Sequence, residues 1–436
     1  MRVLVYAYGT RGDVQPYLAL ADGLVKAGHD AVLAAPGRFA EFAESHGVEF
    51  SPWDDESLAL LDRPDVKEML LNAQSPEELA KTRTFLKAET FRLYPSLLDG
   101  IWRAARRGAD LLVHPYVGAT AAHQAAEKVG APNVLAVLYP SYVTSWHYPS
   151  PDRASSGPGS RVGNRLAHLR YNRRKPVPEV AAAIAQWRRD SLGLAPRRGW
   201  LDAKHRPDGS HTPVLHGFSR HLVPVAPDWP DWVHTTGFWQ LPTSTEWTPP
   251  EELTSFLAAG PKPIFVGFGS MASNDPEAAG ERVLAAVREA GVRAIVVTGW
   301  GGIKIPDPPE NVLVLADMPY DKLFPLVSLA VHAGGAGTLN AALEAGIAQV
   351  PCPFHDEQHT WSRRLVEVGV ATEPIWQKEL TPELLAAAIR TALTDPGITS
   401  SVARLRELVR VEHGTEAAVA ALEHIAGYRA TVDSAR

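Results

Sequence analysis

Apolar runs and helical patterns alternate along the first half of the chain. Residues 16–27 carry leucines at helical spacing and end at Gly28, which fits a helix. Apolar runs that fit buried strands occur at 3–8, 30–34, 111–113 and 133–139. Strands separated by helices indicate a parallel sheet with helices on both faces, so we predict an α/β domain here.

The same alternation starts again in the second half. A helical pattern covers 276–290, and Thr381 followed by a proline predicts the start of a later helix. Strand-like runs occur at 264–268, 294–298, 312–315 and 326–331. Two such domains leave a cleft between the carboxyl ends of their sheets, which is where ligands bind in this fold class.

A segment rich in proline and tryptophan, 223–250, separates the two halves. Prolines stiffen and extend such a segment, so we interpret it as the end of the first domain, a linker and the start of the second domain. We therefore predict a first domain over 1–222, a second domain over 251–414, and a C-terminal helix over 415–436. One arrangement for that helix is packing back on the first domain.

Composition narrows the class of protein. The chain has 436 residues, 45% hydrophobic and 21% charged, which fits two globular domains. Its formal net charge is -6 without an evident basic face, so we expect no nucleic-acid partner. Cys352 is the single cysteine, which predicts a reducing, cytoplasmic location. We expect no transmembrane segment, since no apolar run is long enough; the sequence leaves the oligomeric state open.

A glycine-rich turn between a strand and a helix is the strongest local signal. The run 326–331 ends at His332, and Gly334, Gly335 and Gly337 precede Thr338 and a helical pattern. Backbone N–H groups and the helix dipole at such a turn bind anions, and glycines let the backbone approach them. We predict a diphosphate site here. Two local alternatives are a hydrogen-bonded strand-end histidine and Thr338 as the helix N-cap.

The first strand is followed by a motif, 9–16, that contains Asp13. Its carboxylate would lie at the carboxyl edge of the first sheet, where it could accept a proton from an acceptor hydroxyl. The alternative is that Asp13 only caps a helix that begins near Pro16. Both roles are compatible, because a helix N-terminus stabilises the ionised carboxylate that a general base requires.

A second glycine turn lies at 267–269, before Ser270. It matches a dinucleotide fingerprint, but the NAD version needs an acidic residue near the end of the next strand, and 296–299 has none. We therefore disfavour a nicotinamide site and predict a turn whose backbone and Ser270 hydroxyl contact the ligand.

Glu357 and Gln358 follow a short strand near 349–352. A carboxylate beside a carboxamide offers acceptors and donors to sugar hydroxyls, although a solvated polar loop is the alternative. His355 and His359 are four residues apart in what reads as a proline-flanked loop, and no established metal-binding motif appears. We expect no metal.

Together these motifs resemble the UDP-glycosyltransferase superfamily, in particular bacterial natural-product and sterol glucosyltransferases. The likeness covers nearly the whole chain, in order and spacing, at 9–16, 228–239, 265–271, 298–301 and 324–338. The resemblance implies a GT-B fold: two Rossmann-like parallel-sheet domains facing a cleft, with the acceptor in the first and the nucleotide sugar in the second. It also implies an inverting transfer without metal or cofactor, with a UDP- or dTDP-sugar as co-substrate.

The resemblance also assigns roles to residues. Asp13 corresponds to the catalytic base, and Glu357 and Gln358 to the pair that holds the donor sugar. The donor diphosphate would contact Ser270, His332, Gly334, Gly335, Gly337 and Thr338. The nucleobase and ribose would contact Trp300, Met318 and Asn340. Two positions depart from the family pattern. The family has Asp-Gln where this chain has Glu357 and Gln358, so the carboxylate here is one methylene further from the backbone. Asn340 lies where plant relatives have a ribose-binding glutamate.

The implied activity is transfer of a hexose or deoxyhexose to a hydroxyl of an apolar small molecule, such as a natural-product aglycone or a sterol-like acceptor. Tyr139, Tyr142 and Trp146 suit a broad apolar acceptor, although they equally suit the core. Two rival functions stay open: an NAD(P)-dependent oxidoreductase built on the Gly267 turn, and an inactive GT-B-like binding or partner protein.

Overall fold

The computed structural model describes residues 1–427 apart from short gaps, at 64, 67–68, 70–75, 152–159, 174–176, 196–198, 244–246, 270–274 and 300–301. None of the helices within these described ranges is both long enough and apolar enough to cross a bilayer.

A sheet of seven parallel strands organises the described part of the first half. The strands are β1 (Arg2–Tyr6), β2 (Asp30–Pro36), β3 (Glu49–Trp53), β4 (Leu111–His114), β5 (Asn133–Val137), β6 (Val214–His216) and β7 (Val233–Thr235). Their order is β3-β2-β1-β4-β5-β6-β7, and every neighbouring pair is parallel.

Helices cover both faces of this sheet. They are α1 (Arg11–Lys26), α2 (Ala40–Glu44), α3 (Glu56–Asp62), α4 (Pro76–Ala105), α5 (Ala119–Val129), α6 (Arg161–Asn172) and α7 (Pro178–Asp190). Side chains alternate between the faces of a strand, so Val3 and Val5 of β1 join one core, whereas Leu4 and Tyr6 join another. Burial on both faces explains why β1 reads as a continuous apolar run.

The second half repeats the plan with five parallel strands in the described residues. The strands are β8 (Ile264–Gly267), β9 (Ala294–Val297), β10 (Val312–Leu315), β11 (Leu329–His332) and β12 (Ala348–Pro351), in the order β10-β9-β8-β11-β12. Its helices are α8 (Glu251–Ala258), α9 (Pro276–Ala290), α10 (Tyr320–Leu323), α11 (Ala336–Ala345), α12 (Asp356–Glu367), α13 (Pro382–Thr394) and α14 (Pro396–Arg410). The predicted pair of parallel-sheet α/β domains is confirmed.

Two boundaries differ from the structure. The first domain is predicted over 1–222, but β7 lies inside 223–250 and pairs with β6, with Val214 opposite Val233. The first sheet therefore extends beyond residue 222. Helix α1 begins at Arg11 and not near Pro16, because Thr10 and Asp13 form a capping box that starts the helix one turn earlier.

The last helix, α15 (Gly414–Ala426), follows the second domain in sequence but packs on the first. Its buried side chains, Ala418, Val419 and Leu422, belong to the same core as α1 and β1. His29, just after α1, is 2.8 Å from a carboxylate oxygen of Glu423. The C-terminal helix therefore ties the second half of the chain to the first.

This arrangement predicts that the α15 contact stabilises the first domain. Leu422→Ala removes a fully buried side chain, so we expect a loss of about 2–5 kcal/mol and a lower midpoint in thermal unfolding followed by circular dichroism. Leu384→Ala, at a half-exposed position on α13, is the matched control and should change the midpoint little. Equal midpoints for the two variants would contradict the assignment of α15 to the first domain's core.

Candidate functional site

Both sheets present the carboxyl ends of their strands to one cleft. Asp13 follows β1 on one wall, and Glu357 follows β12 on the other. Side chains link the two walls: Arg11 Nη1 is 2.9 Å from Asp317 Oδ2, and the rings of Tyr139 and Trp361 meet edge to face with centroids 5.8 Å apart. The cleft is the location that open α/β sheets favour for ligand binding.

Asp13 is the third residue of α1, and one of its oxygens holds the helix start. Its Oδ2 accepts hydrogen bonds from Thr10 N at 2.8 Å and from Thr10 Oγ1 at 3.1 Å. Gly9 has φ +127°, and a Cβ there would lie 2.3 Å from this oxygen, so only glycine fits before the carboxylate. Asp13 therefore does act as a capping residue, and the structure leaves the second role open.

The environment of Asp13 raises the pKa of its carboxyl group. Desolvation in the cleft is the largest cause, while the two bonds from Thr10 and the charge of His355 act in the opposite direction. His355 is the N-cap of α12 on the opposite wall. It lies four residues before His359 and was singled out in the sequence only as part of a metal alternative, so its position near Asp13 was missed.

Glu357 and Gln358 lie in the first turn of α12, so the alternative of a solvated polar loop is wrong, and His359 is likewise in the helix. His355, in an extended conformation, starts the helix only two residues after Pro353. Desolvation raises the pKa of Glu357, and the negative charge of Asp13 raises it further. The two carboxylates are therefore close enough to interact across the cleft.

Gln358 is buried, and its Oε1 accepts a hydrogen bond from Phe354 N at 2.8 Å. This bond satisfies a backbone N–H just before the helix. The side chain therefore fixes the start of α12 and with it the position of the neighbouring Glu357.

The glycine turn after β11 leaves a helix N-terminus open. The N-cap of α11 is Gly335, without a side-chain cap, and Thr338 is the third residue of the helix, so the alternative of Thr338 as N-cap is wrong. The first-turn N–H groups of a helix have no partner within it. A Cβ at Gly335 or Gly337 would meet nothing within 4 Å, so these N–H groups border free space of the kind that binds anions.

Gly334 serves a different purpose from its neighbours. Its φ is +90°, and a Cβ there would lie 2.8 Å from both Gln358 O and Ser362 Oγ. The position therefore requires glycine because the turn packs against α12, before any ligand is considered.

His332 supports the turn from inside. Its ring is buried, Nδ1 accepts the Gly334 N–H at 2.9 Å, and Nε2 lies 2.8 Å from Gln349 Oε1. Burial lowers the pKa of His332 to about 4, so the ring is neutral near pH 7. Because both nitrogens have protein partners, the expected direct contact between the His332 ring and a phosphate is not available here; the ring positions the glycine turn instead.

The expected nucleobase and ribose residues are only partly described. Met318 is buried just before α10, and the neighbouring Asp317 pairs with Arg11 across the cleft. Asn340 is buried in α11, and no partner for its Oδ1 is found among the described residues. Ser270 and Trp300 lie outside the described residues.

The three aromatic acceptor candidates divide into two groups. Burial raises the pKa of Tyr139 to about 12 and also raises that of Tyr142, and the charge of Glu357 contributes to both shifts. These two phenols are therefore near the carboxylate of Glu357. Trp146, by contrast, is 41% exposed. Tyr116, which stacks on Tyr142 at 4.2 Å, was not predicted, because only the fold brings the segments after β4 and β5 together.

Two family models cover much of the chain. The model of the glycosyltransferase family 28 N-terminal domain matches residues 3–147, and that of the erythromycin biosynthesis protein CIII-like C-terminal domain matches residues 282–423. A sterol 3-beta-glucosyltransferase of Arabidopsis thaliana is 32% identical over 96% of the chain and 67% of its own length. The chain belongs to the UDP-glycosyltransferase superfamily.

Other relatives in this superfamily are much longer. A sterol 3-beta-glucosyltransferase of Emericella nidulans is 32% identical over the whole chain, which spans only 31% of that protein. One of Penicillium rubens is 30% identical over 99% of the chain and 31% of its own length.

Solved structures support the GT-B fold. The glycosyltransferase of kitacinnamycin has a TM-score of 0.67 at 20% identity, over 97% of this chain and 98% of its own. The calicheamicin glycosyltransferase also has a TM-score of 0.67, at 18% identity, over 98% of this chain and 97% of its own.

The two classes of glycine predict opposite results for alanine. Gly337→Ala adds a methyl group in free space within a helix, so the unfolding midpoint should hold or rise. The backbone N–H stays, but the methyl group would occupy the space through which the phosphate approaches it, so UDP binding should weaken by about tenfold or more. Gly334→Ala should lower the midpoint, with a strain of about 1–3 kcal/mol. Thermal unfolding and calorimetric titration with UDP measure both effects. Unchanged UDP affinity in Gly337→Ala would remove the α11 N-terminus as the anion site.

Proposed function

We propose that the chain is an inverting, metal-independent glycosyltransferase that moves a hexose or deoxyhexose from a nucleotide sugar to a hydroxyl of an apolar small molecule. The observation that carries this proposal is the pair Asp13 and Glu357, held on opposite walls of the cleft and close enough for the charge of one to raise the pKa of the other. The open N-terminus of α11 borders the same cleft.

For the donor, we assign the diphosphate to the N–H groups of α11. Charge develops on the diphosphate as the glycosidic bond breaks, and a preorganised donor of this kind contributes roughly 3 kcal/mol in known enzymes. Glu357 offers carboxylate oxygens to the sugar hydroxyls. The donor is a UDP- or dTDP-sugar and the reaction needs no further cofactor; a structurally similar glycosyltransferase has been solved in complex with dTDP.

For the chemistry, we assign the general base to Asp13. It takes the proton of the acceptor hydroxyl while that oxygen attacks the anomeric carbon from the side opposite the diphosphate, so the configuration inverts. Thr10 holds Oδ2, which fixes the carboxylate while its other oxygen faces the acceptor. The raised pKa makes Asp13 a stronger base than an ordinary aspartate, and a positioned base contributes about 10²–10⁴-fold in rate.

For the acceptor, we propose a sterol-like or natural-product aglycone. Tyr139 and Tyr142 form an aromatic wall beside the carboxylates, and the Arabidopsis relative is named for sterol glucosylation. The superfamily membership argues against the NAD(P)-dependent oxidoreductase. A cytoplasmic location fits the single buried cysteine, Cys352.

The assignment of Asp13 predicts a specific kinetic defect. Asp13→Asn keeps a carbonyl oxygen for the Thr10 N–H but cannot accept the acceptor proton, so kcat should fall by about 10²–10⁴-fold. The affinity for UDP should stay within twofold or so, since the anion site is untouched. Product formation from UDP-glucose and ergosterol, followed by mass spectrometry, measures kcat, and calorimetry measures UDP binding.

The matched control for this variant is Asp231→Asn, two residues before β7 and so at the opposite, amino end of the first sheet. It should behave as the wild type. Full activity in Asp13→Asn would exclude Asp13 as the base. Lack of transfer by the wild type, across UDP- and dTDP-sugars with UDP binding retained, would favour the inactive binding protein.

The raised pKa of Asp13 also predicts how activity depends on pH. The base must be ionised, so kcat/KM should fall as the pH drops through the pKa of Asp13, and this acid limb should lie above the value of about 3.9 for an unperturbed aspartate. The measurement is kcat/KM between neutral and acid pH, with circular dichroism at each pH to exclude unfolding. An acid limb at or below the ordinary aspartate value would contradict the desolvated environment of Asp13.

A further inference from the structure

A helix with an exposed apolar stripe lies beside the acceptor end of the cleft. In α6, Val162 and Leu166 are each 60% exposed and Leu169 is 39% exposed. Their spacing of four and then three residues places them on one face of the helix. Asn164 and His168, on the other side, are buried.

The buried side of α6 fixes the helix to the segment that follows β5. Asn164 Nδ2 donates to Trp146 O at 3.2 Å, and His168 Nε2 donates to Tyr148 O at 3.1 Å. Two polar side chains, Asn164 and His168, therefore face the protein, while the aliphatic Val162, Leu166 and Leu169 face solvent. This is the reverse of the usual amphipathic helix on a globular domain, and it indicates that the outer face contacts something other than water.

Further exposed apolar side chains continue the stripe. The backbone carbonyl of Trp146 accepts the hydrogen bond from Asn164, and the hydroxyl of Tyr116 bonds to that of Tyr171 in α6. We call the whole surface the rim patch: Tyr116, Val117, Trp146, Val162, Leu166 and Leu169, all of them exposed. Since Tyr116 also stacks on Tyr142, the rim patch is continuous with the aromatic wall of the cleft.

All the charged side chains of α6 are arginines, and they lie around the rim patch. The helix RVGNRLAHLRYN has three arginines and no acidic residue, and Arg173 caps its end. Helical spacing places Arg165, Arg170 and Arg173 around the apolar stripe. Arg165 lies over the Trp146 ring, 5.6 Å from its centroid. No ion pair of these arginines occurs within the described ranges, although the chain as a whole carries a net charge of -6.

We propose that the rim patch docks on an anionic lipid bilayer surface. Leucine, valine and tryptophan side chains enter the boundary between head groups and acyl chains, while the arginines contact lipid phosphates and keep their apolar stems along the surface. Charge complementarity selects an anionic membrane over a neutral one. The docked protein opens its cleft toward the bilayer, where apolar acceptors dissolve; this last step rests on the proposed function, whereas lipid binding does not.

The test is vesicle flotation of the purified full-length protein, without donor or acceptor. The wild type should float with vesicles of phosphatidylcholine and phosphatidylglycerol, and about tenfold less with phosphatidylcholine alone or at high salt. Leu166→Asp should reduce binding by about tenfold or more, and Arg170→Ala by about fivefold. The matched control is Leu384→Asp, at a position on α13 that is also half exposed, which should bind as the wild type.

A second readout separates docking from transfer. With UDP-glucose as donor, Leu166→Asp should act as the wild type on ergosterol in cyclodextrin but lose activity on ergosterol in anionic vesicles. The proposal is overturned if the wild type does not float, or if Leu166→Asp floats equally well. It is also overturned if light scattering finds a dimer that Leu166→Asp dissociates, since the face would then be a protein interface. Failure of transfer with flotation intact would contradict the proposed function alone.

Discussion

The packing of α15 on α1 is the contact on which the geometry of the cleft depends. Helix α1 carries Asp13 at its first turn, where Arg11 reaches Asp317 of the second domain. At the other end of α1, Gly23 leaves room for Thr415 of α15, because a Cβ there would lie 2.4 Å from the threonine methyl group. The second half of the chain therefore holds α1 at both ends. Because the first turn of α1 carries Asp13, these contacts orient the proposed general base relative to the second domain.

The cleft must also hold several negative charges together. Asp13 and Glu357 repel each other, and a diphosphate adds more negative charge. The N-termini of α1, α11 and α12 all point into this region, and the positive end of a helix dipole favours anions within about one turn. His355 adds a further favourable interaction with Asp13. The parallel topology explains this arrangement, because in each sheet the helix that follows a strand begins at that strand's carboxyl end.

Much of this architecture could be predicted from the sequence, for identifiable reasons. Strands such as β8 are buried on both faces and so appear as unbroken apolar runs. β7 was missed because it has only three half-buried residues, Val233–Thr235, and two of them are polar. The start of α1 was placed too late because Pro16 reads as a first-turn residue, whereas it lies inside the helix. Thr10 and Asp13 have the spacing of a capping box, so the earlier start could have been predicted from these two residues.

The glycine turn shows why motif recognition located the site but not the role of each residue. A cluster of glycines indicates that something approaches the backbone, and the sequence cannot say what. At Gly334 the neighbour is α12, through Gln358 and Ser362. At Gly335 and Gly337 an added Cβ would meet no atom within 4 Å. Likewise, the partner of His332 is Gln349 on the neighbouring strand, and the parallel register of β11 and β12 brings the two side chains together. Internal packing therefore accounts for Gly334 and His332, and the anion site that we propose consists of the first-turn N–H groups of α11, which have no partner within the helix.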